Sequence, residues 1–244
     1  MILYALSIFS IVTFVLCGAE ELILPITTCK RNSTDYSTCL KEAVIEAWPR
    51  FVEGLPEFDF PRLDPLLYKD GKIILNRNGL NAEGNVINAT IFGLALTRIL
   101  DVRPHFLDDI FRLEIDMIIP KVFVHSYDSG QANLFGMRAG GAGYLNITMH
   151  ENRVTHDITG YVKNDTWTVQ HHRIIMTVER MKFYLSDFFD GSKELNDILE
   201  DFLNEYWPPI YREFAPTVFE TVDPFLTNID NRFFSKVSFS KVFP

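Results

Sequence analysis

Histidines and acidic residues are the side chains of this 244-residue sequence that could catalyse a reaction or bind a metal. Four of the six histidines stand in adjacent pairs, at His150-Glu151, His156-Asp157 and His171-His172. Neighbouring side chains on a strand point to opposite faces of the sheet, so the two histidines of the last pair cannot form one ligand pair without distortion. We therefore interpret them as surface histidines, and a histidine beside an acid is weak support for a catalytic dyad.

Recognised catalytic motifs are missing from the sequence. It has no G-x-S-x-G, no H-E-x-x-H and no Walker phosphate-binding loop. The glycine-rich stretch GGAG (140–143) lacks the spacing and the strand–helix setting of a dinucleotide loop, and we interpret it as a hairpin turn. We therefore expect no enzyme, no catalytic residue and no cofactor, and a lipid hydrolase is only the third of three hypotheses.

The first nineteen residues, MILYALSIFSIVTFVLCGA, are uncharged and end in small residues. This pattern is typical of a secretory signal peptide (1–19) cleaved after Ala19, and a membrane anchor is the alternative. No later stretch approaches the ~20 apolar residues of a spanning helix. We expect a mature chain of residues 20–244 that is secreted into the extracellular space, without stable membrane insertion.

Cysteine usage and glycosylation motifs agree with secretion. Cleavage would leave Cys29 and Cys39, and a close pair in an exported chain predicts one disulfide. Two cysteines without a C-x-x-C motif make a zinc site improbable, so we expect no metal. Four N-x-[ST] sequons predict glycosylation, at Asn32, Asn88, Asn146 and Asn164.

Composition excludes one class of partner. The chain is 47% hydrophobic and 23% charged, as is ordinary for a globular protein. Its net charge of −9 argues against nucleic-acid binding, which requires a basic face.

Periodicity divides the mature chain into a helix, a strand-rich region and a second, longer helix. Residues 36–53 have a helical period that ends at Gly54. From about 72 to 185 the period is two, most clearly in FRLEIDMII (111–119). After Gly191 an apolar stripe of helical period continues for ~40 residues, in which four prolines should bend or break the helix. The end, KVSFSKVF (236–243), alternates again and predicts a last strand.

The length of the second helix determines the predicted fold class. Some 40 helical residues would span about 60 Å, whereas a compact domain of this size is about 45 Å across. Only the strand-rich region can cover such a helix. We predict one α+β domain in which a strongly curved antiparallel β-sheet wraps a long C-terminal α-helix. Where the sheet stands off the helix, apolar side chains would line a hydrophobic tunnel, typical of a lipophilic-ligand site; a filled core is the alternative.

The segment LPEFDFPRLDPLL (55–67) combines apolar residues with three prolines. Proline excludes a helix interior and favours extended geometry in the preceding residue. We interpret the segment as a stiff extended crossover that carries the chain into the sheet and packs its leucines and phenylalanines inward.

Several features resemble, in order, landmarks of the insect takeout and juvenile-hormone-binding protein family. They are the two cysteines around Asn32, the segment 55–67, Tyr127…Gly130, Gly141-x-Gly143 and FFDGSKELNDILEDFLNEYW (188–207). The resemblance implies a long helix wrapped in a curved sheet, with a tunnel that carries a hydrophobic small molecule. It is closer to the takeout branch, because the second disulfide of the haemolymph hormone carriers has no cysteines here.

The predicted ligand-binding residues come from the helix stripe and from the inward side of the strands. Those on the helix recur every four residues and are Phe202, Tyr206, Ile210 and Phe214. Those on the strands are Phe111, Leu113, Ile115, Met117, Val124 and Phe135. Tyr127 matches the family's tyrosine position and is the candidate polar anchor, whose hydroxyl could bond an ester, epoxide or ketone oxygen. The alternative is that Tyr127 points outward and the others form a filled core.

Two functions follow as expectations. The first is a secreted carrier of a small lipophilic ligand, such as a terpenoid, fatty-acid-like or pheromone-like molecule. The second is a secreted glycoprotein that acts through protein–protein interaction, with its cavity filled by side chains. A receptor or carrier partner is compatible with both.

Overall fold

The computed structural model describes residues 27–77, 80–134, 137–186, 188–189 and 192–244. The predicted signal peptide and Phe135 lie outside these residues. The first described helix, α1 (Tyr36–Glu53), confirms the predicted one. It ends at Gly54, whose φ of +89° suits a residue without a Cβ. Its buried side, which includes Leu40 and Ala43, packs toward the sheet.

In the described part of the chain, seven antiparallel strands form one sheet. They are β1 (Leu66–Arg77), β2 (Leu80–Phe92), β3 (Arg98–Leu107), β4 (Ile110–Leu134), β5 (Met137–Lys163), β6 (Thr166–Thr177) and β7 (Arg180–Ser186). The order is β1-β2-β4-β5-β6, with β3 beside β4 and β7 beside β5. Strands β4 and β5 have 25 and 27 residues, so each is long enough to pair with two different strands along one edge.

The long C-terminal helix, α2 (Lys193–Phe234), has 42 residues and is therefore about 63 Å long. It packs against β6, β7 and β1, and the sheet curls around it as a half-barrel. This architecture confirms the predicted fold class. The helix contains four prolines, yet its one interior residue with non-helical φ/ψ is Tyr206, two positions before Pro208. No described helix has a stretch that is both long and apolar enough to cross a membrane.

The inner face of the sheet, which looks toward α2, changes phase in the middle of β4 and β5. Pairing of these strands is interrupted where Pro120 lies opposite Glu151, because proline has no N–H to donate and Glu151 has a φ of +50°. Before this point the buried residues of β4 have odd numbers, as at Met117 and Ile119; after it they have even numbers, as at Val122 and Ser126. The alternation predicted for 111–119 is confirmed, but it does not continue in phase beyond Pro120. The interpretation of 140–143 as a hairpin turn was wrong, because these residues lie within β5 and pair with residues 128–131 of β4.

The segment 55–67 is more compact than the extended crossover that we predicted. Pro56–Phe58 form a 3₁₀ turn, and Leu55 and Phe60 pair as an isolated antiparallel bridge. The chain can reverse there because Asp59 adopts the left-handed conformation, with a φ of +56°. Inward packing of its apolar side chains is confirmed, since Phe58 is fully buried beside Phe233 of α2.

The predicted last strand is instead a short helix, α3 (Phe239–Val242). The apolar residues that alternate in the sequence also fit helical spacing, and four residues are too few to separate the two periods. Phe239, Val242 and Phe243 are buried. Asp165 fixes the start of the helix, because its carboxylate accepts hydrogen bonds from the backbone N–H and the hydroxyl of Ser240, at 2.7 and 2.8 Å.

Candidate functional site

The part of the inner face around Phe111 is a filled core. Phe111 is only 1% exposed, and its ring centroid lies 4.8 Å from that of Trp167, 5.0 Å from Phe239 and 4.6 Å from Phe243. Leu113 and Met117, which were predicted with it as ligand contacts, are also buried in this core. Close packing of this kind leaves no space for a ligand beside the Phe111 ring.

Elsewhere on the inner face, apolar side chains are only half-buried, on a sheet whose strands β6 and β7 pack against α2. They come from β4 to β7 and include Ile115, Val124, Leu145, Ile147, Ile174, Met176 and Met181. Ile210 and Phe214 of α2, both predicted ligand contacts, are half-buried as well. We attribute the remaining exposure of these side chains to space between the sheet and the helix.

The four predicted helix residues do not share one environment. Phe202 and Tyr206 are each 47% exposed, and their rings contact each other with centroids 5.2 Å apart. Ile210 and Phe214 lie beyond the irregular residue Tyr206. The break in the helical period explains why the first two residues are more exposed than the last two. A spacing of four residues keeps side chains on one face only in an uninterrupted helix.

Tyr127 lies on the outer face of the sheet, which corrects the expectation that its hydroxyl reaches the interior. Its cross-strand partners are Asn88 and Tyr144, and the rings of Tyr127 and Tyr144 have centroids 5.0 Å apart. The phase change at Pro120 is the reason, since it directs the even-numbered residues of this part of β4 inward.

Those inward residues include a serine and a carboxylic acid that the sequence analysis did not identify. Ser126 is buried and donates from Oγ to Oδ2 of Asp128 at 2.6 Å. The other oxygen of Asp128, Oδ1, is buried without a hydrogen-bond partner, and burial raises the pKa of this carboxyl. The sequence does contain a signal for this pair, because Ser126 and Asp128 alternate with the predicted Tyr127 and must face the opposite side of the sheet.

Two histidines join strands β5 and β6 to α2, and one of them corrects the interpretation of His171-His172 as surface residues. His172 is only 7% exposed, and its Nδ1 lies 2.6 Å from Oδ2 of Asp230. Its Nε2 lies 2.7 Å from Nδ1 of His156. Burial and, secondarily, the nearby His172 lower the pKa of His156 to about 3. His171 is exposed, as predicted.

A row of polar side chains along α2 binds the edges of strands β6 and β7. The amide of Asn204 bonds both the N–H and the C=O of Phe183, at 2.8 and 2.9 Å. The amide of Asn231 does the same for Val169, at 2.9 Å each. Between them, the hydroxyl of Tyr211 donates to the carbonyl oxygen of Met176 at 2.8 Å, and burial raises the pKa of Tyr211 to about 12. These contacts satisfy strand edges that would otherwise lack partners.

The predicted disulfide is confirmed, since Cys29 and Cys39 are bonded. Three of the four sequon asparagines are exposed, namely Asn32, Asn88 and Asn164. Asn146 is half-buried, and its Oδ1 lies 2.6 Å from Nδ1 of His125. Glycosylation at all four stays a prediction. Among the described residues, no group of three or more His, Cys, Asp or Glu side chains is arranged to hold a metal ion.

A single curved sheet around one long helix, with apolar side chains between them, defines a half-barrel of the lipid-binding kind. The family model for the haemolymph juvenile hormone binding proteins matches residues 8–244, and the chain belongs to this family. The fold is similar to that in the crystal structure of Epiphyas postvittana Takeout 1, with a TM-score of 0.72 at 20% sequence identity. That match covers 88% of this chain and 98% of the other. No curated protein matches the sequence.

Proposed function

We propose that this protein is a secreted carrier that binds a small lipophilic ligand between its sheet and α2. The ligand class is terpenoid, fatty-acid-like or pheromone-like. The observation that carries the proposal is a contrast on the inner face: the side chains around Phe111 are closely packed, whereas those around Ile147 and Ile174 are only half-buried. An apolar wall with few polar groups is typical of sites for such ligands.

Ligand contacts in this proposal come from the half-buried set. From the predicted residues we retain Ile115, Val124, Ile210 and Phe214, and we add Ile147, Ile174 and Met176. Phe111, Leu113 and Met117 belong to the packed end and stabilise the fold. Membership of a family of binding proteins supports the assignment to carriers rather than to enzymes.

Secretion is part of the same proposal. The apolar, uncharged start of the sequence supports it. So does the disulfide between Cys29 and Cys39, because disulfides persist in oxidising compartments. N-terminal sequencing of protein recovered from the medium of insect cells would test the cleavage after Ala19.

The binding test uses two adjacent residues of β6 that face opposite sides of the sheet. Ile174 is half-buried on the inner face, whereas Ile175 is 63% exposed on the outer face. Ile174→Trp should fill the interior and weaken binding of the fluorescent probe N-phenyl-1-naphthylamine by about fivefold or more, since overpacking costs about 1–3 kcal/mol. Ile175→Trp is the matched control and should leave the affinity unchanged. Equal affinities of the two variants would contradict an interior site, and a native mass spectrum would show whether the purified protein carries a ligand.

The protein–protein interaction function remains a second candidate because of one exposed row on α2. Leu195, Ile198, Phe202 and Tyr206 recur at helical spacing and are 48%, 60%, 47% and 47% exposed. Apolar side chains grouped on a surface in this way are common at interaction sites. Probe binding that is absent in the wild type, together with a Phe202→Glu variant that no longer self-associates or binds a partner, would favour this candidate.

A further inference from the structure

A hydrogen-bonded chain of three side chains runs from α2 into the middle of the sheet. It begins at the carboxylate of Asp230, continues through the imidazole of His172 and ends at His156. The joining distances are 2.6 and 2.7 Å, which are short for contacts of this type. A second carboxylate of α2 fixes the same strand, since Oδ1 of Asp223 accepts from the backbone N–H of His172 at 2.6 Å.

The order of the groups determines which ring nitrogens carry protons. A carboxylate can only accept, so Nδ1 of His172 donates to Asp230. We assign the tautomer in which Nε2 of His172 accepts and Nδ1 of His156 donates to it. Because burial keeps His156 neutral at physiological pH, its Nε2 is left with a lone pair. The chain thus presents an acceptor at its end.

The His156 ring lies on the inner face of a central strand. Its cross-strand partners are Ile115 on β4 and Ile174 on β6, both half-buried members of the proposed ligand wall. The residue is half-buried although strands flank it on both sides, and we infer that its accessible part faces the space between sheet and helix. The described part of the chain offers Nε2 of His156 no hydrogen-bond partner.

We propose that Nε2 of His156 is the polar recognition point of the interior and that it selects a lipophilic alcohol. A hydroxyl group placed between Ile115 and Ile174 would donate to Nε2, while its hydrocarbon chain contacts the apolar wall. An ether or ester of the same size offers no donor there, and a carboxylate would place an anion against a lone pair. This inference rests on the proposed carrier function and specifies its ligand class. Asp230 and His172 act as positioning residues.

The test compares two ligands that differ in one hydrogen-bond donor. 1-Hexadecanol and hexadecyl methyl ether would each displace N-phenyl-1-naphthylamine from the protein at pH 8. One hydrogen bond is worth about 0.5–1.5 kcal/mol, so the alcohol-to-ether affinity ratio in the wild type should exceed that in His156→Phe by about two- to tenfold. Comparing the ratio across the two proteins cancels the different aqueous solubilities of the ligands.

Two further variants make the test specific. His105→Phe changes a histidine on the outer face of β3 and should leave the ratio as in the wild type. Asp230→Ala removes the acceptor that holds His172 in one tautomer, so the ratio should fall at least twofold, even if His156→Phe does not fold. An alcohol-to-ether affinity ratio in His156→Phe equal to that of the wild type would overturn the alcohol assignment but not the carrier function. If His156→Phe does not fold, an unchanged ratio in Asp230→Ala has the same meaning. Absence of probe binding in the wild type would overturn both.

Discussion

Asn152 provides the most direct test of the phase change in the sheet. The side chain is fully buried next to the interruption at Pro120 and Glu151. Its Nδ2 donates to the carbonyl oxygen of Ile119 at 2.9 Å and to that of Met149 at 3.2 Å. These two residues are the last inward-facing ones before the phase changes on β4 and β5. Asn152 therefore supplies the donors that the irregular backbone lacks.

The cost of Asn152→Leu can be worked out from these contacts. The variant leaves two buried carbonyl groups without a donor, and each unpaired group costs about 1–3 kcal/mol. It also removes Oδ1 of Asn152, which is buried without a partner and so carries a penalty of its own. The net loss in the free energy of unfolding is that of one unpaired group, about 1–3 kcal/mol. In a chain of this size each kcal/mol lowers Tm by roughly 2–4 °C.

Urea denaturation followed by circular dichroism would measure the difference. The matched control is Asn85→Leu, because Asn85 is exposed on β2. The control should change the free energy of unfolding by less than about 0.5 kcal/mol. An Asn152→Leu variant as stable as the wild type would show that the interruption at Pro120 does not depend on this amide.

Three further predictions concern stability. Because burial lowers the pKa of His156, the unfolded chain takes up this proton at a higher pH than the folded chain does. The free energy of unfolding should therefore fall by up to about 1.4 kcal/mol per pH unit as pH drops from 6.5 toward 3. Urea melts at a series of pH values should show a weaker pH dependence of that free energy in His156→Phe. Tyr211→Phe should cost about 1 kcal/mol, because it removes the hydrogen bond to Met176, and should reduce the tyrosine absorbance change near pH 12. Replacing Cys29 and Cys39 by serine should cost about 3 kcal/mol in a thermal melt, given a separation of ten residues, and an unchanged melt would contradict the chain-entropy argument.

The fold class could be predicted from the sequence because it depends on long periodic stretches. The helix 36–53 and the strand 111–119 each keep one period over several turns or residue pairs, and the structure confirms both. The 42 residues of α2 exceed the width of a compact domain, so the sheet had to wrap the helix. Short stretches were less informative, as residues 236–243 show, because their apolar spacing fits a strand and a helix equally.

The candidate site was harder to predict because it depends on phase rather than on period. Alternation is visible on both sides of Pro120, but the sequence does not show that the inward face changes there. Proline inside a strand is a signal for an irregular position and could have placed Tyr127 on the outer face. The break at Tyr206 had the same effect on α2, since it separated Phe202 from Phe214. In each case one irregular residue changes the face on which the following side chains of that element lie.

The histidine chain shows a second kind of limit. Adjacent residues His171 and His172 do point to opposite faces, as strand geometry requires. The partner that keeps His172 buried is Asp230, 58 residues further along the chain, and the third member, His156, lies on another strand. Only the pairing of β5 with β6 and the position of α2 bring them together, so no spacing in the sequence could have indicated the group.

The polar row on α2 explains how the helix is oriented over the proposed site. Asn204 and Asn231 each bond both backbone groups of a strand residue, so they fix the rotation of the helix about its axis at two points 27 positions apart. Ile210 and Phe214, which lie between the two amides along α2, are half-buried in that orientation. The hydrophobic stripe of α2 is too broad to determine the rotation by itself. The side chains available to a ligand are therefore set by two amides, and disrupting either amide should change the shape of the interior as well as the stability of the protein.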